Sequence, residues 1–143
     1  MKKIIVFVLL STSVFASSFI EVESKYDAVT TVKKISSEIE KKDGFSVFII
    51  IDHQKNAQKI GMKLPFEQLI IFGNPKGGTK LMQADALMGY ELPMKIMVYE
   101  KDAKVMVAYK SNQYIANNYN VKNSPILPKI KKVMKYFVSS VKK

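Results

Sequence analysis

Hydrophobic spacing along the chain alternates between two periods, and each change of period marks an element. Phe19-Ile20-Glu21-Val22-Glu23 alternates in part and predicts a short first strand. From Asp27, a candidate N-cap, Tyr26, Val29, Val32, Ile35 and Ile39 share one helical face and Lys33, Lys34, Ser37, Glu38 and Lys41 the other. Asp43-Gly44 supplies the stop, glycine being suited to the left-handed position after a helix. Phe45-Ser46-Val47-Phe48-Ile49-Ile50-Ile51 is apolar on both faces, which predicts a central strand covered on both sides and ending at Asp52-His53.

Gln54 to Gly61 reads as a short helix, and Leu64-Pro65 leads into a third strand, Gln68 to Phe72. The run Gly73-Asn74-Pro75-Lys76-Gly77-Gly78-Thr79 is the densest turn signal in the chain, with Thr79 a candidate cap for a short helix from Lys80 to Leu87. Leu92-Pro93 enters a fourth strand, Met94 to Glu100, and Lys101-Asp102-Ala103 turns into a fifth, Lys104 to Lys110, forming a hairpin. A short polar helix follows Ser111. Ser124-Pro125 opens the last helix, whose stripe of Ile126, Ile130, Val133, Phe137 and Val141 faces inward while Lys129, Lys131, Lys132 and Lys135 face solvent.

This order predicts an α+β fold of two layers, a mainly antiparallel five-stranded sheet with two long helices on one face. Val47, Ile49 and Ile51 are expected to face one way and Phe48 and Ile50 the other. The apolar second face of such a sheet needs cover, and a homodimer or a ligand groove would provide it.

The N-terminus changes the compartment. Met1-Lys2-Lys3, the apolar run Ile4 to Leu10 and the small residues near Val14-Phe15-Ala16 make the charged, hydrophobic and cleavage regions of a secretory signal peptide, residues 1–16. The apolar run is too short to span a bilayer, which takes about 20 residues. The expected mature chain, 17–143, is one domain that is periplasmic or secreted, with no stable membrane anchor after cleavage.

Composition narrows the chemistry further. Cysteine is absent, so disulfides, thiolate catalysis and iron–sulfur ligation are excluded. Removing Lys2 and Lys3 from 23 basic residues against 12 acids leaves a mature formal charge of +9, all of it from lysine, because the chain has no arginine. Readers of phosphates and bases lean on the guanidinium fork, so nucleic acid is not an expected partner and the lysines read as a solvated surface. His53 is the one histidine and the one side chain that ordinarily titrates near neutral pH. It is the best single candidate for chemistry and, weakly, for a metal; a lone histidine cannot build a multi-histidine zinc site. The methionines, spread over several elements, read as core filling.

Ile70-Ile71-Phe72-Gly73-Asn74-Pro75, then Gly78-Thr79, Leu81-Met82, Leu92-Pro93 and Tyr109 resemble the signature of the domain of unknown function 302 family, and Asp52-His53-Gln54-Lys55-Asn56-Ala57 is similar to its upstream segment. The resemblance runs from about Phe19 to Val141. It implies a β-α-β4-α fold of the TATA-binding-protein-like kind, with no inference about DNA, and an uncharacterised activity with no assigned cofactor. Carried over by position, it marks Asp52, His53, Asn56, Phe72, Gly73, Asn74, Pro75, Gly78, Thr79, Met82 and Tyr109. The polar members, Asp52, His53, Asn56, Asn74, Thr79 and Tyr109, are the expected ligand-binding residues. The expected function is a non-enzymatic periplasmic binding or accessory protein whose small-molecule or metal pocket joins Asp52-His53 to the Asn74 to Thr79 loop. The alternatives are a hydrolase-type enzyme with His53 as general base oriented by Asp52, or a purely structural dimeric module.

Overall fold

The computed structural model describes residues 18–143; residues 1–16, expected to be a signal peptide, lie outside them. Eleven elements follow in the order β1 (Phe19–Glu23), α1 (Ala28–Glu40), β2 (Ser46–Asp52), α2 (His53–Lys59), β3 (Glu67–Gly73), α3 (Pro75–Ala84), α4 (Met88–Glu91), β4 (Met94–Lys101), β5 (Lys104–Lys110), α5 (Asn112–Asn118) and α6 (Ile126–Ser139). The five strands form one antiparallel sheet in the order β1-β5-β4-β3-β2. This is the α+β, two-layer arrangement read from the periodicity, with short helices added at both sheet ends.

α1 begins where the Asp27 carboxylate accepts from the Thr30 backbone N–H at 2.8 Å and from its hydroxyl at 2.6 Å. Its inward stripe of Val32, Ile35 and Ile39 meets Ile70 and Phe72 of β3, Ile96 and Val98 of β4 and Val107 of β5. Met134, Phe137 and Val138 of α6 complete that layer, with the Phe137 ring edge-on to Phe72 and Phe45 at 5.6 and 5.5 Å. Truncating any fully buried member, such as Ile35 or Phe72, leaves a cavity that costs about 2–5 kcal/mol. The buried hydroxyls of Ser24 and Thr31 pair with each other at 2.7 Å, so neither is left unsatisfied. β4 and β5 join through Asp102 and Ala103, both at positive φ, as a type I′ hairpin turn requires.

Three expectations are overturned. β2 is an edge strand rather than a central one, and its Phe48, Ile49 and Ile50 are 50, 55 and 39% exposed. Apolar character on both faces therefore marked neither burial of this strand nor its place in the sheet. A bulge at Phe48 also resets the alternation: Val47 pairs with Phe72 on the helix-covered face, whereas Ile49 and Ile51 pair with Ile71 and Leu69 on the open one. The third concerns α3. It starts at Pro75 rather than Lys80, with Asn74 and not Thr79 as its cap, so the glycine-rich run is the first turn of a helix instead of a loop. Proline at the first helical position needs no N–H, and an asparagine before it satisfies the orphan donors, which together outweigh the low helix propensity of two glycines.

The sheet face opposite α1 and α6 carries Ile49, Leu69, Ile71, Met97, Met106 and Ala108, with Glu21, Lys95, Tyr99 and Lys110 among them. Tyr99, desolvated and bonded to the Glu21 carboxylate, has its phenol pushed up to about 12.

Candidate functional site

The signature run is built around close approach. At Gly73, a Cβ would stand 3.2 Å from the Phe48 ring, closer than most side chains pack, so glycine lets β3 pass under Phe48 without displacing the ring. The Asn74 side-chain oxygen then accepts from the Gly77 N–H at 3.3 Å and starts α3. Gly77 and Gly78 face Ile126 of α6 and Leu92, and a Cβ at either position would stand 4.0 and 3.6 Å away, at ordinary van der Waals contact. Leu81 anchors the helix from below, fully buried with Met88, Ile115, Val121 and Leu127 in a second core.

α3 and α6 do not close on each other along their whole length. Between them lies a cavity of about 660 Å³, within the range of small-molecule sites. Gly77, Gly78, Thr79 and Met82 form one wall, Ile126, Ile130 and Val133 the other, and Phe45, Phe48 and Pro93 the end. The Leu92-Pro93 peptide at that end is cis. The lining is almost wholly apolar.

Besides Asn74 and Thr79 on the α3 side, its polar groups and all of its cations stand along the α6 edge. Lys129, Lys132 and Tyr136 follow each other along α6, and Lys42, after the end of α1, places its ammonium 5.8 Å from the centre of the Tyr136 ring. The Tyr136 hydroxyl donates to Glu38 at 2.9 Å, and this bond raises its pKa. Glu38 is held below the usual carboxylate range by Lys41 at 3.0 Å and by Tyr136.

The structure separates the expected site residues into three places. Asn74 and Thr79 lie at this groove with Gly73, Pro75, Gly78 and Met82. Asp52, His53 and Asn56 lie at the opposite end of the β2–β3 pair, because Ser46 pairs with Gly73 whereas Asp52 pairs with Gln68. Six residues of strand put about 20 Å between the two ends. The pocket joining Asp52-His53 to the Asn74 to Thr79 segment is therefore not formed; antiparallel pairing sends the end of β2 and the end of β3 to opposite edges of the sheet.

At its own end Asp52 is a helix cap. One carboxylate oxygen accepts from the Lys55 N–H at 2.8 Å and the other from the Gln68 side-chain amide at 2.8 Å. The Lys55 N–H, with Gln68 and the Lys55 ammonium, holds the carboxyl below its ordinary value. With both oxygens engaged, Asp52 is poorly placed to orient His53, the first residue of α2. Asn56 is exposed on that helix. Among the described residues no group of three or more His, Asp and Glu side chains converges as a metal site, and His53 gains no ligating company. Tyr109 lies in neither place: it points into the main core against Ile20, where burial raises its phenol pKa.

Lys42, Lys129, Lys132, Ile130, Val133 and Tyr136 were not expected at a site, having read as a solvated face and a core stripe. A signal was present in the breadth of the α6 stripe, which offers more apolar positions than one sheet face can cover.

A family model described as "Domain of unknown function DUF302" matches residues 20–137. Among curated proteins, the "Fluoride-specific ion channel FluC 1" of Brucella suis biovar 1 (strain 1330) is 32% identical over 110 residues, which cover 76% of this chain and 43% of that one. The protein of that name from Brucella abortus biovar 1 (strain 9-941) is also 32% identical over 110 residues, covering 76% and 40%. The chain spans less than half the length of these relatives. Among solved structures, the crystal structure of an uncharacterized conserved protein DUF302 from Bacillus stearothermophilus superposes with a TM-score of 0.76 at 17% identity, over 89% of this chain and 100% of that one.

Proposed function

The chain belongs to the DUF302 family of domains of unknown function, and on that premise we propose that it is an exported, non-enzymatic protein that binds a small apolar ligand in the groove between α3 and α6. The observation that carries this reading is the position of the family-like strings. Gly73-Asn74-Pro75, Gly78-Thr79, Met82 and Leu92-Pro93 all border one cavity of about 660 Å³.

Export rests on the tripartite pattern of residues 1–16. Catalysis by His53 gains no support from Asp52, whose carboxylate is committed to capping α2 and to Gln68. No helix among the described residues is long and apolar enough to cross a membrane, and the proposal leaves ion conduction in the longer Brucella proteins to the remainder of their chains. Homodimerisation through the open sheet face is part of the proposal, supported by the apolar row of Ile49, Leu69, Ile71 and Met97.

Thermal unfolding with and without 1-decanol, an uncharged probe of the groove, tests the reading. A ligand at a hundred times its Kd stabilises the folded state by about 2.7 kcal/mol, so a clear rise in Tm is expected. Gly78→Leu and Met82→Trp, which project bulk into the groove, should each abolish the rise. A rise that persists in both folded variants would remove the groove from consideration.

A further inference from the structure

The groove has a direction. It follows α6 from Ile126 to Tyr136, and ten residues at 1.5 Å each make it about 15 Å long. Cations stand along one edge only. Lys129 and Lys132, one turn apart, continue the row that Tyr136 ends, and Lys42 approaches the same end from α1.

These three are the lysines among the residues that line the groove. Lys41, Lys55, Lys104, Lys110 and Lys143 each have a carboxylate partner. Among the described residues Lys42, Lys129 and Lys132 take part in no ion pair, and no carboxylate lines the groove; Glu38, beyond Tyr136, is already bonded to Lys41 and to that tyrosine. An elongated apolar slot with unpaired cations on one rim is complementary to a molecule that is apolar along its length and negative at one end.

We propose, resting on the ligand-binding reading above, that the occupant is a free single-chain carboxylate of medium or greater length. Its chain lies between α3 and α6, packed on Ile130, Val133 and Met82. Its head meets the ammonium groups of Lys129, Lys132 and Lys42. The lysine stems lie against the apolar rim while their heads stay in water, so the carboxylate need not be fully desolvated.

Isothermal titration of the purified protein with decanoate, octanoate, 1-decanol and decyltrimethylammonium separates head from chain. Decanoate should bind at least tenfold more tightly than 1-decanol, with the cation weakest. Each buried methylene should raise affinity roughly fourfold, so decanoate should exceed octanoate by about fifteenfold. In the double variant Lys129→Glu and Lys132→Glu, the preference for decanoate over 1-decanol, read as the ratio of the two affinities, should vanish. Equal binding of anion, alcohol and cation, blocked by Met82→Trp, would overturn the carboxylate assignment and leave the apolar groove standing. Binding of none of the four, or binding of decanoate that survives Met82→Trp, would overturn both.

Discussion

Gly44 is the position at which the fold and the candidate groove can be tested together by a single methyl group. It follows α1 at φ +77°, and a Cβ there would stand 2.6 Å from the Asn74 side-chain nitrogen. Gly44→Ala therefore carries two separate penalties. A left-handed alanine costs roughly 1–2 kcal/mol. Asn74 must also swing away, losing the bond to Gly77 that starts α3, and loss of an N-cap costs about 1 kcal/mol. The expected total is about 2–3 kcal/mol. Gly61 supplies the control, because it has φ +73° but nothing within 4 Å of its Cβ position; Gly61→Ala should show the backbone penalty alone, roughly 1–2 kcal/mol. Urea unfolding followed by far-ultraviolet circular dichroism measures all three quantities, with Asn74→Ala closing a double-mutant cycle. Gly44→Ala and Asn74→Ala should be less than additive, since the cap can be lost only once. If Gly44→Ala costs no more than Gly61→Ala, or if it adds fully to Asn74→Ala, the contact between the end of α1 and the start of α3 is not as described.

Asp52→Asn keeps a good helix cap but removes the charge. The folded-state pKa of Asp52 is lowered from its ordinary 3.8, so its contribution is fully present above that value and is lost as the pH falls through the lower folded value. Wild type should lead the variant by about 1 kcal/mol at pH 6, with the two stability curves converging on acidification; a constant gap down to pH 2 would contradict this. If the open sheet face pairs two copies, light scattering at micromolar concentration should give twice the mass of one chain. Ile49→Lys, which places a charge at a 55% exposed position, should then return the mass of one without loss of secondary structure, and a wild type already of single-chain mass would end the dimer proposal. Mass spectrometry of protein recovered from the periplasm should find Ser17 at the N-terminus, and a product retaining residues 1–16 would contradict cleavage.

Local periodicity was enough to locate all five strands and both long helices, because a strand or helix that must bury one face writes that face into the sequence at a period of two or 3.6 residues. The stripe of α1, Val32, Ile35 and Ile39, is of this kind, and so is the hairpin at Asp102-Ala103. Caps were less legible. Gly77 and Gly78 weighed locally for a turn, and the start of α3 at Asn74-Pro75 went unread although an asparagine cap before a proline is a helix-start pattern. The edge position of β2 was hidden because side-chain polarity along one strand does not state how many strands flank it, and Phe48, Ile49 and Ile50 are apolar yet exposed.

The site was decided by tertiary structure almost entirely. Asp52-His53 and Asn74-Thr79 each look like strand-end chemistry in sequence, and nothing local states that antiparallel registry puts them at opposite edges of the sheet. Lys42, Lys129 and Lys132 look like ordinary solvated lysines until α1 and α6 bring them to one rim. The sequence by itself determined the elements, the cysteine-free and arginine-free chemistry and the glycine that ends α1. Which of those elements leave space between them depends on contacts between residues far apart in the chain, and no local pattern encodes a gap.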